Sequence, residues 1–401
     1  MEVETIRKDF PILSEDQIYL DNAATSLTPM PVIQNLIEYY VHYRASPGRS
    51  IHYMARNSEE KLREARATAA KFINALSDEI VFVRNTTEGI NMLSLGLKTT
   101  KGDNIVVSAL EHHSNFLPWM RKCQNTGGNL RIVFPKNEEG LITADDFAQQ
   151  IDKNTRIVAL THVSNVLGTI LPVKEIVKIA HENDAVVVLD AAQSAPHMPV
   201  DVKKLNVDFL TFSGHKICGP TGAGLLYIKK DMAERMEPVR LGGGIVAYVD
   251  ATRYELLDPP ARFEAGTLPY CEVMAMADAF EYVRRIGFEN ILSHDRKLIT
   301  IAHEILHNVR GLKIYGPSIK NKTSIFAFNI MGLDPTEVAM ILDTSNKVEV
   351  RSGHLCAQIC TRKILGEAEG VVRASTYFYN KEEEIVTFAE SVKKIVDTMV
   401  T

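Results

Sequence analysis

The stretches VVVLDAAQ (186–193) and DFLTFSGHK (208–216) decide how this chain is read. Each is an apolar run that ends in reactive side chains: Asp190 and Gln193 close the first, Ser213, His215 and Lys216 the second. Apolar residues on consecutive positions mark strands buried on both faces, as in a mainly parallel sheet covered by helices. Working outward, similar short runs occur at 80–83, 104–108, 130–134, 156–161, 185–189, 209–212 and 224–228. Helical patterns separate them. Leu62, Ala65, Ala69, Phe72 and Ile73 recur at helical spacing, as do Val173, Ile176, Val177 and Ala180. This alternation predicts a three-layer α/β domain.

After about residue 240 the texture changes. Gly242 to Gly244 and the pair Pro259, Pro260 punctuate the chain, and longer helical patterns with a few strands follow. Ile385, Phe388, Ala389, Val392, Ile395, Val396 and Met399 form one stripe, so the chain is expected to close with an amphipathic helix on a smaller domain. No internal repeat is visible. A length of 401 residues suits two or three domains.

Forty-five Lys and Arg against fifty Asp and Glu give a net charge of −5, which disfavours nucleic acid as a partner. The opening MEVETIRKDF lacks the apolar core of a secretory signal, and no apolar run approaches the ~20 residues of a membrane span. The expectation is a cytoplasmic protein without a membrane partner. Its five cysteines, Cys123, Cys218, Cys271, Cys356 and Cys360, are odd in number, scattered and free of CxxC spacing. They form neither a disulfide framework nor a closed zinc site.

The two opening stretches carry the chemistry. Ligands of open α/β sheets bind at strand carboxyl ends, where one strand here ends in Asp190 and the other leads to Lys216. A lysine just past a buried strand can lose its proton to desolvation and form a Schiff base, and an aspartate can hold a pyridinium nitrogen protonated. Those are the two protein groups that pyridoxal phosphate needs. A phosphate cradle is expected at RNTTEGIN (84–91), where Thr86, Thr87 and Glu88 open a helix whose free N–H groups favour an anion. The segment has neither GxxxxGK[ST] nor GxGxxG. His112 and His113 follow another strand. Adjacent histidines on an extended segment point in opposite directions and lack a third ligand, so an imidazole stacked on the cofactor ring suits the position better than a metal.

With these residues in place, nine ordered motifs resemble those of the cysteine desulfurases of the class V aminotransferase family, most closely the SUF-type, group II branch. They are YLDNAATS (19–26), RNTTEGIN (84–91), EHHSN-x-x-PW (111–119), THVSNVLG (161–168), LDAAQ (189–193), SGHK-x-x-GPTG-x-G (213–224), RFEAGT (262–267), RSGHLCA (351–357) and VRAS-x-x-x-YN (372–380). The resemblance implies the fold-type I architecture of pyridoxal phosphate enzymes. That means a large domain, residues 17–262, with a mainly parallel mixed sheet between helices, and a smaller α+β domain from 1–16 and 263–401. It also implies a homodimer.

Carried onto this sequence, the resemblance makes Lys216 the Schiff-base lysine and proton shuttle, pairs Asp190 with the pyridinium nitrogen and Gln193 with the ring oxygen, and stacks His112 on the ring. Thr86, Thr87, Ser213 and His215 hold the phosphate with Thr267 of the partner subunit. Ala23, Asn165, Arg351 and Arg373 are the expected substrate contacts, a guanidinium meeting a carboxylate in a bidentate fork. Cys356 is the expected acceptor of sulfur as a persulfide, which only a thiolate can supply. A free thiol with pKa ~8.5 is only a few per cent ionised at pH 7, so Arg351 and His354 are candidate cations beside it. The expected reaction converts L-cysteine to L-alanine, with the sulfur passed to a SufE-like or SufU-like acceptor or an assembly scaffold for iron–sulfur clusters. A short turn at Cys356, as in group II, requires the acceptor thiol to enter the site.

Alternatives are a selenocysteine lyase or another class V enzyme, and a non-catalytic protein on this fold. Departures from the group II pattern are Gly48 and Leu355 in place of histidines, Ser50 in place of glycine, and Asn85 before the threonine pair. Cys360, four residues after Cys356, is read as a packed thiol rather than a relay.

Overall fold

Consecutive apolar runs do form the central sheet of the computed structural model, which describes residues 2–14, 16–48 and 51–400. Ser50 lies outside the described residues. The strands are β1 (Ile80–Val83), β2 (Asn104–Ser108), β3 (Asn129–Val133), β4 (Thr155–Thr161), β5 (Val186–Asp190), β6 (Phe209–Ser213) and β7 (Gly224–Ile228). Their order is β1-β7-β6-β5-β4-β2-β3. Strands β2 to β6 pair in parallel, and β7 runs against both β6 and β1. Every residue of β1, β2, β6 and β7 is buried, whereas the edge strand β3 is mostly half-buried. Burial on both faces is why these runs do not alternate with polar residues.

Helices α1 (Met30–Glu38), α2 (Tyr53–Phe72), α3 (Thr86–Gly96), α4 (Leu117–Thr126) and α5 (Val173–His181) belong to this layer system. The stripe Val173, Ile176, Val177 and Ala180 of α5 is buried as its spacing requires. The two faces of the sheet feed separate cores: Phe212 packs with Phe72 and Phe280, while Phe209 belongs with Trp119 and Val107 to the core on the other face.

The chain continues with α6 (Tyr270–Ile286), α7 (Phe288–Leu306), α8 (Pro335–Asn346) and α9 (Glu382–Met399). The antiparallel sheet β8 (Leu312–Tyr315), β9 (Ile325–Ile330), β10 (Arg351–Gly353) and β11 (Val371–Ser375) has the order β8-β9-β11-β10. Its core joins Phe326 and Phe328 to Leu298 of α7, Leu342 of α8 and Phe388 of α9.

Packing departs from the expected boundary at 262/263. Helix α6 lies against α1 and α2, and its Phe280 ring stacks on Phe72 with centroids 4.4 Å apart. Conversely, Leu20 is buried in the core of the second sheet, and Ile18–Tyr19 pair with Val348–Glu349. We therefore propose a division near Gly287, with residues 18–21 threaded into the second unit. Among the described residues, no helix is long and apolar enough to cross a membrane.

Candidate active site

The carboxyl ends of β1, β2, β4, β5 and β6 converge on a cavity of about 390 Å³, the place where open α/β sheets hold ligands. Asp190 ends β5, and its Oδ1 accepts the Ala192 N–H at 2.9 Å. Burial raises its pKa, opposed by that hydrogen bond and by Lys216. Gln193 donates Nε2–H to the Ala23 carbonyl at 2.7 Å, which brings the N-terminal segment to the cavity wall. After Ser213 ends β6, a helical turn, Gly214–Lys216, presents Lys216. The turn packs closely on α6: a Cβ at Gly214 would lie 2.8 Å from Met276 Cγ. Lys216 keeps part of its surface toward the cavity, and its side-chain amine has no hydrogen-bond partner among the described residues. Burial pushes its amine down to about 8, with Asp190 acting in the opposite sense.

Helix α3 starts beside Ser213. Asn85 caps it, accepting the Glu88 N–H at 3.0 Å, so the departure at Asn85 has a structural use. The Thr86 N–H donates to Ser213 Oγ at 2.9 Å, and the two hydroxyls meet at 2.8 Å. Thr87 bonds Ser114 Oγ at 2.7 Å, and both residues line the cavity with His215. This rim joins hydroxyls to the positive end of a helix. His112 lines the same wall and accepts the Ser114 N–H on Nδ1 at 3.1 Å. Burial, reinforced by Lys216, pushes it down to about 3, so the imidazole is neutral.

The opposite wall is cationic. Arg351 of β10 and Arg373 of β11 are register partners. Asp21 bridges them: its Oδ2 accepts from Arg351 Nε (2.9 Å) and a terminal N–H of that guanidinium (2.6 Å), and its Oδ1 accepts from Arg373 at 2.8 Å. Two guanidinium groups on one carboxylate leave one positive charge over. Arg373 also donates to the Asn165 carbonyl at 3.0 Å. Its Nε and the Asn165 Oδ1 are buried and have no partner among the described residues. Asn165 Nδ2 donates to the Leu355 carbonyl at 2.8 Å, which ties down the turn that carries Cys356.

Of the five cysteines only Cys356 is exposed, at the cavity mouth. Cys360 is fully buried, and burial pushes its thiol up to about 12. The cavity thus gathers Ala23, Thr86, Thr87, His112, Asn165, Asp190, Gln193, Ser213, His215, Lys216, Arg351, Cys356 and Arg373. Thr267 is exposed and lies outside it.

Two functional residues stand inside the sequence motifs without being singled out by them. Asp21 organises both arginines, which no spacing could reveal because the three are brought together by pairing across the second sheet. Glu111 is buried under His112, accepting from Ser108 Oγ, Asn115 Nδ2 and the Thr161 N–H. Burial pushes its carboxyl up to about 8. A carboxylate just past a buried strand was the available signal.

The group that fits this cavity needs an aldehyde for an unpaired amine, a ring nitrogen for Asp190, a flat face for a neutral imidazole and an anion for the α3 rim. Pyridoxal phosphate has all four. The class-V aminotransferase family model matches residues 18–388. The probable cysteine desulfurase of Methanothermobacter thermautotrophicus is 43% identical over 397 residues, 98% of each chain. The chain belongs to the class-V aminotransferase family, in its cysteine desulfurase branch. A second relative of this branch, the probable cysteine desulfurase of Pyrococcus abyssi, is 42% identical over 400 residues, 99% of this chain and 98% of its own. Among solved structures, the apo cysteine desulfurase of Thermococcus onnurineus NA1 superposes with a TM-score of 0.95 at 42% identity, covering 99% of this chain and 98% of that one. The cysteine desulfurase CsdA of Escherichia coli gives 0.92 at 31% identity, with both chains fully covered at 100%.

Proposed function

We infer that this class-V aminotransferase family member is a pyridoxal-phosphate-dependent cysteine desulfurase that converts L-cysteine to L-alanine and keeps the sulfur as a persulfide on Cys356. The observation that carries this reading is the one exposed cysteine at the mouth of the cavity that holds Lys216 and Asp190. Lys216 would hold the cofactor covalently, Asp190 its ring nitrogen, Gln193 its ring oxygen and His112 its face. Thr86, Thr87, Ser213 and His215 would hold its phosphate, with Thr267 of the partner subunit. When bound, pyridoxal phosphate supplies an electron sink for the bonds at the substrate Cα.

The chain's own groups do the rest. Arg373, with Arg351 and Asn165, takes the substrate carboxylate; the single positive charge left over by Asp21 matches one carboxylate. Lys216, whose amine burial holds below its ordinary value, takes a proton at Cα and returns it. The Cys356 thiolate attacks the substrate sulfur: an S–S bond forms and the C–S bond breaks with its electron pair left on carbon. Sulfur is thereby oxidised to the sulfane level, and the carbon is reduced and protonated to the methyl group of alanine.

The turn of Cys356 is short, running from the end of β10 at Gly353 into helical backbone at Gln358. This supports a SUF-type, group II enzyme whose acceptor thiol enters the cavity, on a SufE-like or SufU-like protein or a scaffold for iron–sulfur clusters. A homodimer suits the exposed apolar Leu95 and Leu117 beside Thr87 and the position of Thr267. The test is to add pyridoxal phosphate, then L-cysteine. A visible band absent from Lys216→Ala, and alanine formation lost in Cys356→Ala, support the reading. No band in wild type, or alanine formation unaffected by Cys356→Ala, overturns it.

A further inference from the structure

Of the two adjacent histidines, the chemistry above uses only His112. His113 faces away from the cofactor wall and meets the turn that carries Cys356. Its backbone N–H donates to the Cys356 carbonyl at 2.7 Å, and its side-chain Nε2 accepts the Gln358 N–H at 3.2 Å. The turn is closed by the Ala357 N–H on the His354 carbonyl at 2.9 Å. Its two central residues, Leu355 and Cys356, have φ of +53° and +55°. That left-handed backbone is ordinary for Gly or Asn and disfavoured for a branched leucine or a cysteine. Such conformations persist where surrounding contacts over-determine them. Here the contacts come from the central-sheet side: His113 on one flank and Asn165 Nδ2 on the Leu355 carbonyl at the other.

We propose that His113 is a positioning residue, whose imidazole pins the start of the helical segment after Cys356 and so keeps the thiol at the cavity mouth for sulfur transfer. The proposal rests on the desulfurase reading. Burial, with His354 nearby, lowers the pKa of His113 and favours the neutral imidazole, the form with a nitrogen free to accept. Any residue at 113 keeps the backbone bond to Cys356; only the side-chain bond to Gln358 depends on histidine.

The test compares the cofactor-loaded wild type with His113→Leu and His113→Gln. Glutamine can place Oε1 near the position of Nε2 and accept the same N–H, whereas leucine cannot. In His113→Leu, hydrogen exchange at the Gln358 amide should speed up by about three- to tenfold, and kcat for alanine formation should fall by about the same factor at unchanged KM, the worth of one hydrogen bond. His113→Gln should recover most of both. Retention of the visible cofactor band in each variant shows that the fold survives. Unchanged Gln358 exchange or unchanged kcat in His113→Leu, or a His113→Gln as impaired as His113→Leu, overturns the proposal. A wild type without Cys356-dependent cysteine turnover overturns the functional reading instead, and the Gln358 exchange rates still decide whether His113 pins the turn.

Discussion

Gly89 is where helix α3 touches the sheet, and a single methyl group there should loosen the cofactor. A Cβ at Gly89 would lie 2.4 Å from Thr211 Oγ1, against about 3.4 Å for an ordinary contact. Thr211 cannot easily yield, because its hydroxyl donates to the Leu225 carbonyl at 2.8 Å inside the sheet. Gly89→Ala therefore moves α3 outward by about 1 Å, the difference between those two separations. The Thr86–Ser213 contacts, now 2.8–2.9 Å, would stretch beyond hydrogen-bonding range. Overpacking costs about 1–3 kcal/mol and each lost hydrogen bond about 0.5–1.5 kcal/mol, partly offset by the roughly 1 kcal/mol that alanine gains over glycine in a helix. The net effect is a loss of about 1–5 kcal/mol of stability and, with one or two phosphate contacts misplaced, a cofactor affinity about 10–100-fold weaker. Absorbance titration of the apoprotein with pyridoxal phosphate, alongside thermal unfolding, measures both. Adding Thr211→Ala removes the oxygen and leaves the Thr211 Cβ position at 3.0 Å, so part of the affinity should return. Wild-type affinity in Gly89→Ala, or no recovery in the double variant, would mean that the Gly89–Thr211 contact does not set the place of α3.

Three further outcomes are expected. Asp21→Asn should destabilise the protein by about 2–4 kcal/mol in denaturant unfolding, because it leaves the buried Arg373 without its carboxylate. The Arg351 share is small, since that side chain is 52% exposed; a loss below about 1 kcal/mol would mean that the bridge adds little to the packing already there. Cys360→Ser should leave cysteine turnover and sulfur transfer near wild type while lowering the melting temperature, as a hydroxyl replaces a fully buried thiol; impaired transfer at normal stability would revive a relay. In the apoprotein, the Lys216 amine sits near 8 when folded and 10.5 when free, so the unfolded state binds more protons between these values. Stability should then rise with pH across that window relative to Lys216→Met, and a pH-independent difference would contradict the burial of the amine.

The seven-stranded sheet was legible because doubly buried strands write themselves as consecutive apolar runs, and Asp190 and Ser213 fall at strand ends as a ligand site requires. The cavity side chains were also legible, since each sits within a few residues of such an end or in a motif that the resemblance covers. Less legible were features set by long-range pairing. The role of Asp21 depends on the register that places Arg351 opposite Arg373, and on the bridge of Asp21 to Ser375. Helix α6 follows the Gly and Pro punctuation, which on sequence grounds places it in the second unit, yet its Ala275, Ala279 and Phe280 pack with α2 and the central sheet. The left-handed turn at Leu355 and Cys356 carries no Gly or Asn to announce it; tertiary hydrogen bonds impose it.

The most direct test of the account is mass spectrometry of the cofactor-loaded protein after a single turnover of L-cysteine without any acceptor. One added sulfur is expected on the Cys356 side chain itself, placed there rather than on Cys360 by fragmentation of the 352–362 peptide that holds both, removable by a reducing thiol and accompanied by an equal amount of alanine. Alanine formed with no sulfur on Cys356, or sulfur found on Cys360 instead, would contradict it.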